Sequence, residues 1–176
     1  MGIKPTMPHI TMIVVTCLSV VALSLFVQNS SAGLRKAGQK KPLANPIRNW
    51  TGIVIHHSGS NYDNLEKIDA YHRSKGWDMC GYHFVIERNG IVKEGRPLNK
   101  TGAHAKTGKS YSRNKTHIGI CLCGTDNFSA EQIKALYNSC KRLAQNFPIA
   151  SIERHHEECP GPGVNIELLR EKILGR

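Results

Sequence analysis

The 176-residue sequence predicts an α/β fold: a single domain on a central mixed β-sheet flanked by helices, preceded by an N-terminal signal or anchor segment. Strand-like and helix-like patterns follow one another in the order βαβββαβα between residues 51 and 174, and this order predicts helices packed on a mixed sheet. Hydrophobic residues make up 40% of the chain, which is enough for a core and unlike the composition of a disordered protein.

Residues 1–32 predict a signal peptide or a membrane anchor. Lys4 precedes an uncharged apolar run from Ile10 to Val27, and the small residues up to Ala32 suit a cleavage site. The run is also just long enough to span a bilayer, so both interpretations stay open. Either one predicts export to the periplasm or the extracellular space, with membrane contact only through residues 10–27 if the segment is not cleaved.

The domain itself is expected at residues 50–176. Residues 33–49 before it are basic and contain two prolines, a composition typical of a linker. The predicted elements, in chain order, are a strand at 51–58, a helix at 63–76, a hairpin at 82–95, a long loop at 96–116, a strand at 117–124, a helix at 129–147, a strand at 149–156 and a helix at 164–174.

Local patterns justify these elements in turn. The first strand is rich in β-branched residues, and Gly76 ends the helix that follows it. The Asn89-Gly90 dipeptide favours the tight turn of a hairpin, and the loop after the hairpin is long enough to carry function. Ser129 and Gln132 form a capping box at the start of the longest helix, which has a clear apolar stripe.

The charge distribution argues against a nucleic-acid partner. The formal net charge is +11 at pH 7, but residues 1–50 contain six Lys/Arg and no acidic residue. Residues 51–176 therefore carry 18 basic and 13 acidic side chains, a net charge of only +5. A nucleic acid would require a concentrated basic patch, which this segment lacks. We expect the domain to be a monomer.

Five cysteines follow the apolar run. They are Cys80, Cys121, Cys123, Cys140 and Cys159. Five is an odd number for a fully paired exported domain, so one cysteine is expected to serve another purpose. The pairing of the other four stays open.

The stretch ERHHEECPGPG, residues 153–163, contains candidate metal ligands. Pro160 disfavours a helix at Cys159, so the stretch should be the end of a strand followed by a tight loop. That loop can bring Cys159 back beside His155 or His156. Imidazole nitrogen and thiolate sulfur are both good zinc ligands, and a catalytic zinc site needs a third protein ligand.

The stretch IVIHHS, residues 53–58, can provide the third ligand. Neighbouring side chains in a strand point to opposite faces, so only one of His56 and His57 can face the site. Alternation does not choose between them, because both faces of this strand carry Ile or Val.

Five stretches in order carry a family resemblance. They are IVIHHS, GWDMCGYHFVIERNGIVKEGRP, TGAHAKT, THIGICLCGTD and ERHHEECPGPG. Together they resemble the zinc-dependent N-acetylmuramoyl-L-alanine amidases, the family that includes phage T7-type lysozyme and the peptidoglycan recognition proteins. The resemblance covers residues 50–176. It implies that the first histidine of each pair is the ligand, so that the zinc set is His56, His155 and Cys159.

The resemblance also implies a reaction. The protein would be a peptidoglycan hydrolase that cleaves the amide bond between N-acetylmuramic acid and L-alanine of the stem peptide by a zinc-activated water. Tyr82 matches the family's catalytic tyrosine, whose hydroxyl would bind the developing oxyanion. The alternative for Tyr82 is a packing position on the same face as Phe84. His104 and Lys106 lie in a loop that would line the substrate cleft.

This sequence departs from the family pattern at two points. Only three residues separate His155 from Cys159, fewer than the family commonly has, and Glu157 stands where the phage enzyme has a lysine. Glu157 could act as a general base. Cys121 occupies a strand position where some members carry a catalytic glutamate. The alternative function is a recognition module that binds peptidoglycan without cutting it, but such members typically lose the cysteine ligand.

Overall fold

The computed structural model describes residues 48–106, 110 and 112–176. The predicted signal or anchor segment and most of the predicted linker lie outside the described residues. Within the described ranges, no helix is both long and apolar enough to span a bilayer.

The described residues form one five-stranded mixed sheet with helices packed on it, as the sequence predicts. The elements are β1 (Gly52–His57), α1 (Leu65–Ser74), β2 (Phe84–Ile86), β3 (Val92–Glu94), α2 (Ser112–Thr116), β4 (His117–Leu122), α3 (Ala130–Ala144), β5 (Ser151–Arg154) and α4 (Ile166–Leu174). The strand order is β3-β2-β4-β1-β5. Only β3 runs antiparallel to its neighbour, β2.

Side-chain caps explain where the helices begin. At α1, the Asn64 side chain accepts a hydrogen bond of 2.9 Å from the Lys67 N–H. At α3, the predicted capping box between Ser129 and Gln132 is confirmed. The prediction of a loop throughout 96–116 is wrong at its end, where α2 forms. This five-residue helix is polar and has no apolar stripe, so its sequence carries no helical pattern.

The two faces of the sheet are covered differently. One face carries Ile53 and Ile55 of β1 in the main core, against α3 and α4. The other face carries Cys121 of β4 in a smaller cluster with residues of α1. Because side chains alternate along a strand, His56 lies on this second face and His57 on the first.

Candidate metal centre and cleft

Three metal-ligating side chains converge at the carboxyl ends of β1 and β5. His56 is the penultimate residue of β1, and His155 directly follows β5, its parallel neighbour in the sheet. The loop after β5 folds back through two backbone hydrogen bonds between His156 and Cys159, of 3.2 and 3.1 Å. As a result, one ligand atom from each of His56, His155 and Cys159 lies within 4.8 Å of the others.

The geometry and chemistry of this group suit zinc. Protein zinc ligands bind at roughly 2.0–2.3 Å in a tetrahedron, which places the ligand atoms roughly 3.3–3.8 Å apart. The ligand atoms of the three residues lie within 4.8 Å of one another, which is close to that spacing. Two histidines and one cysteine leave a fourth position open, which is the pattern of catalytic zinc sites.

Burial keeps both histidines in the form that binds metals. His56 is 1% exposed, and burial together with the nearby His104 lowers its pKa well below the ordinary value. Burial also lowers the pKa of His155 to about 4. Both imidazoles are therefore neutral near pH 7. Burial raises the pKa of the Cys159 thiol, and a bound cation would provide the positive charge that a thiolate needs there.

Arg113 holds the main chain in place at His155. Its guanidinium donates hydrogen bonds to the carbonyl oxygens of His155, at 3.0 Å, and Arg154, at 3.3 Å. It also forms an ion pair of 3.6 Å with Glu153. No sequence motif marks Arg113. It lies on the unpredicted helix α2, and its partner Arg154 is 41 positions away in the chain.

Tyr82 lies beside the three ligands. Its ring centroid is 5.0 Å from that of His56. Burial raises the pKa of the phenol well above its ordinary value, so the hydroxyl stays protonated and can donate a hydrogen bond. Tyr82 does not share a face with Phe84. It packs against the smaller cluster, whereas Phe84 belongs to the main core.

His104 and Lys106, the predicted substrate contacts, both line a cleft but differ in exposure. The His104 side chain is buried, and both ring nitrogens have protein partners: Nδ1 lies 3.0 Å from His56 Nε2, and Nε2 lies 3.2 Å from the His117 carbonyl oxygen. Lys106 is exposed. Contact of either residue with a substrate stays a prediction.

The cleft next to His155 has a volume of about 780 Å³. Its wall includes Trp77, which is 42% exposed. The wall is braced by Arg96, a buried residue whose guanidinium donates to Asp78 at 2.5 Å and to the Cys80 carbonyl at 2.9 Å. The cleft therefore presents an aromatic face and charges of both signs close to the candidate metal centre, which suits a large polar ligand.

Glu157 lies in the loop between two of the ligands, and its side chain is exposed. Its carbonyl oxygen accepts a hydrogen bond of 3.3 Å from Arg154. In the part of the chain that the structure describes, the Glu157 carboxylate makes no hydrogen bond or ion pair. The structure thus does not bring Glu157 into the ligand group, and its role as a proton acceptor stays a prediction.

The five cysteines in the described ranges are all free thiols. Cys80, Cys121 and Cys123 lie in the smaller cluster, and Cys140 lies in the main core. Burial raises the pKa of Cys80 to about 11 and of Cys140 to about 12. Cys159 differs from these four in that two histidine ligands lie next to it.

The fold and the site define a class of protein: a mixed α/β domain with a candidate catalytic metal centre at the edge of an open cleft. The chain belongs to the N-acetylmuramoyl-L-alanine amidase family, whose model matches residues 46–162. The resemblance seen in the sequence motifs is thereby confirmed.

Similar proteins support this assignment. The chain is 32% identical over 135 residues to an endolysin of Enterobacteria phage K11, covering 70% of this chain and 86% of that protein. It is 33% identical over 174 residues to peptidoglycan-recognition protein SC2 of Drosophila melanogaster, covering 88% and 90%. Among solved structures, the N-acetylmuramoyl-L-alanine amidase LysC from Clostridium intestinale URNW matches with a TM-score of 0.65 and 29% identity, covering 78% of this chain and 95% of that chain.

Proposed function

We propose that the protein is a zinc-dependent N-acetylmuramoyl-L-alanine amidase, which hydrolyses the amide bond between N-acetylmuramic acid and the L-alanine of the stem peptide. The observation that carries the proposal is the approach of His56, His155 and Cys159 to within 4.8 Å at the edge of the cleft. Membership of the amidase family supports peptidoglycan as the substrate or ligand. When bound, zinc would polarise the scissile carbonyl and activate a water.

The protein side chains around the metal have distinct roles in this proposal. The neutral rings of His56 and His155 and the thiolate of Cys159 hold the ion. The protonated hydroxyl of Tyr82 donates a hydrogen bond to the carbonyl oxygen as negative charge develops on it, which lowers the barrier. Glu157 would accept the proton that the attacking water loses and pass it to the leaving nitrogen as the C–N bond breaks.

The contacts with the substrate outside the reacting bond come from the cleft. In this proposal, Lys106 meets a carboxylate of the stem peptide and Trp77 packs on a sugar ring; both residues line the cleft and are exposed. These contacts would orient the scissile amide over the metal ligands.

Digestion of purified peptidoglycan by the domain tests the proposal. We expect release of intact stem peptides that begin with a free L-alanine, identified by mass spectrometry. Chelation should abolish the release and added zinc should restore it. Cys159→Ala should remove both bound zinc and activity, because the thiolate is a ligand. The unfolding transition should remain cooperative.

Cys140→Ala is the matched control, since it removes a buried thiol from the main core, away from the metal centre. It should keep one zinc per domain and full activity. Zinc-dependent activity in Cys159→Ala would refute the ligand set. Zinc-bound protein that binds peptidoglycan without cutting it would identify a recognition module instead.

A further inference from the structure

His104 is held between a metal-site histidine and the main chain. Its Nδ1 lies 3.0 Å from Nε2 of His56, and its Nε2 lies 3.2 Å from the carbonyl oxygen of His117. A carbonyl oxygen can only accept, so Nε2 of His104 must carry the proton that this bond uses. In the part of the chain that the structure describes, no carboxylate contacts this buried ring. Burial without such a partner disfavours the charged imidazolium, so the ring is neutral.

The tautomers of both rings follow from this one carbonyl. A neutral imidazole has one donor nitrogen and one acceptor nitrogen. With its proton on Nε2, His104 accepts at Nδ1, so Nε2 of His56 must be the donor of the 3.0 Å bond. The lone pair of His56 is then on Nδ1, and Nδ1 is the atom available to a metal.

Contacts within the protein fix the position of the His104 ring. A Cβ atom at Gly119 of β4 would lie 2.5 Å from the ring, and one at Gly102 would lie 2.6 Å from it. Both glycines therefore allow the ring to lie directly against the backbone. The Asn114 side chain also accepts hydrogen bonds from the backbone N–H groups of His104, at 2.9 Å, and Ala105, at 2.7 Å.

We propose that His104 is a positioning residue of the metal centre, which holds His56 in the Nε2–H tautomer so that Nδ1 of His56 binds the metal. The inference rests on the proposed zinc site and adds the residue that orients one of its ligands. Hydrogen-bond partners of this kind fix the ring of a metal-binding histidine and raise its basicity. Their loss typically weakens metal affinity by about 10- to 100-fold.

The first test needs no variant and no metal. Long-range ¹H–¹⁵N spectra of the metal-free protein report which nitrogen of each histidine carries the proton. We expect His56 and His104 both to be Nε2–H tautomers. A spectrum that shows His56 protonated at Nδ1 would overturn the inference, whatever the activity of the zinc-loaded protein.

The second test is zinc affinity, measured by competition with a chromophoric chelator. His104→Leu should bind zinc about 10- to 100-fold more weakly than the wild type. His104→Asn should recover most of that loss, because its side-chain oxygen can replace Nδ1 as the acceptor. His72→Gln is the matched control: His72 is also buried, but its Nδ1 accepts a hydrogen bond of 3.0 Å from the backbone N–H of Gly81. Its zinc affinity should be unchanged.

The outcomes separate this inference from the proposed function. If the wild type binds zinc and hydrolyses peptidoglycan, and His104→Leu binds zinc equally tightly, the inference alone is wrong. If the wild type binds no zinc, the proposed function is wrong and the inference fails with it.

Discussion

At the residue scale, the candidate site depends on the protonation states of its side chains. Burial shifts the pKa of each side chain and thereby sets whether it donates or accepts hydrogen bonds. The phenol of Tyr82 stays protonated because burial raises its pKa, while the imidazoles of His56 and His155 stay neutral because burial lowers theirs. Each group is thus in the state that its proposed role requires near neutral pH.

Tyr82→Phe removes the hydroxyl while keeping the ring. We expect kcat to fall roughly 10²- to 10³-fold, the usual cost of losing one oxyanion donor, with zinc content unchanged. Turnover of a soluble muramoyl-peptide fragment measures the effect. Tyr71→Phe is the control, since Tyr71 is 60% exposed on α1. Wild-type kcat in Tyr82→Phe would exclude the proposed role.

Glu157→Gln keeps the shape of the side chain but cannot accept a proton. Loss of a general base typically lowers turnover by about 10²- to 10⁴-fold, and we expect a fall of that kind in kcat with zinc affinity unchanged. The neighbouring Glu158 is also exposed, so Glu158→Gln is a matched control that should behave as wild type. Equal turnover in the two variants would show that another group accepts the proton.

At the element scale, the pairing of parallel strands brings together the residues of the candidate metal centre. The parallel pair β1 and β5 places His56 and His155 at the same edge of the sheet. The strand β4, on the other side of β1, contributes Gly119, whose missing side chain leaves room for the ring of His104. The short helix α2 then brings Arg113 to the main chain of His155. Each candidate ligand histidine therefore has a partner from elsewhere in the chain: His104, in the loop before α2, contacts His56, and Arg113 of α2 contacts His155.

At the scale of the whole molecule, the two faces of the sheet serve different purposes. One face is an apolar core covered by α3 and α4, and the other carries the smaller cluster with Tyr82 beside the metal-site histidine of β1. Several histidines are buried on or near this second face, and they couple the stability of the fold to pH.

His83 provides the clearest case of this coupling. Burial lowers its pKa to about 4 from an ordinary value of 6.5. Between these values the unfolded chain binds the proton and the folded chain does not. The stability contributed by the neutral ring is therefore fully present above about pH 6.5 and is lost as the pH falls towards 4. The loss has a limiting slope of about 1.4 kcal/mol per pH unit.

Urea unfolding of the metal-free protein at several pH values measures this slope. Between pH 6 and 4.5, the free energy of unfolding of the wild type should fall more steeply than that of His83→Gln, by about 1 kcal/mol per pH unit. Comparison of the two proteins cancels the contributions of those histidines that do not contact His83. Parallel pH profiles for the two proteins would contradict the assignment.

From sequence alone, the order of the strands and of the three longer helices could be predicted, together with the capping box at Ser129 and Gln132 and the residue types that could bind a metal. These features depend on neighbours in the chain. Caps join residues three positions apart, strands show as β-branched runs, and the proline after Cys159 restricts its backbone. The boundaries of some elements differ from the prediction: β5 spans Ser151–Arg154, whereas the predicted strand spans 149–156.

Long-range packing, and not the sequence of β1 itself, determines which face of this strand meets the site. Both faces of that strand are apolar, and α3 and α4, which cover one of them, come more than 70 residues later in the chain. The hydrogen bond between His56 and His104 could not be predicted from sequence either, because the two residues are 48 positions apart. Nor could the contact of Arg113 with His155, because the helix that carries Arg113 has no apolar stripe. Local preferences cannot encode such contacts, because they exist only when distant segments pack together.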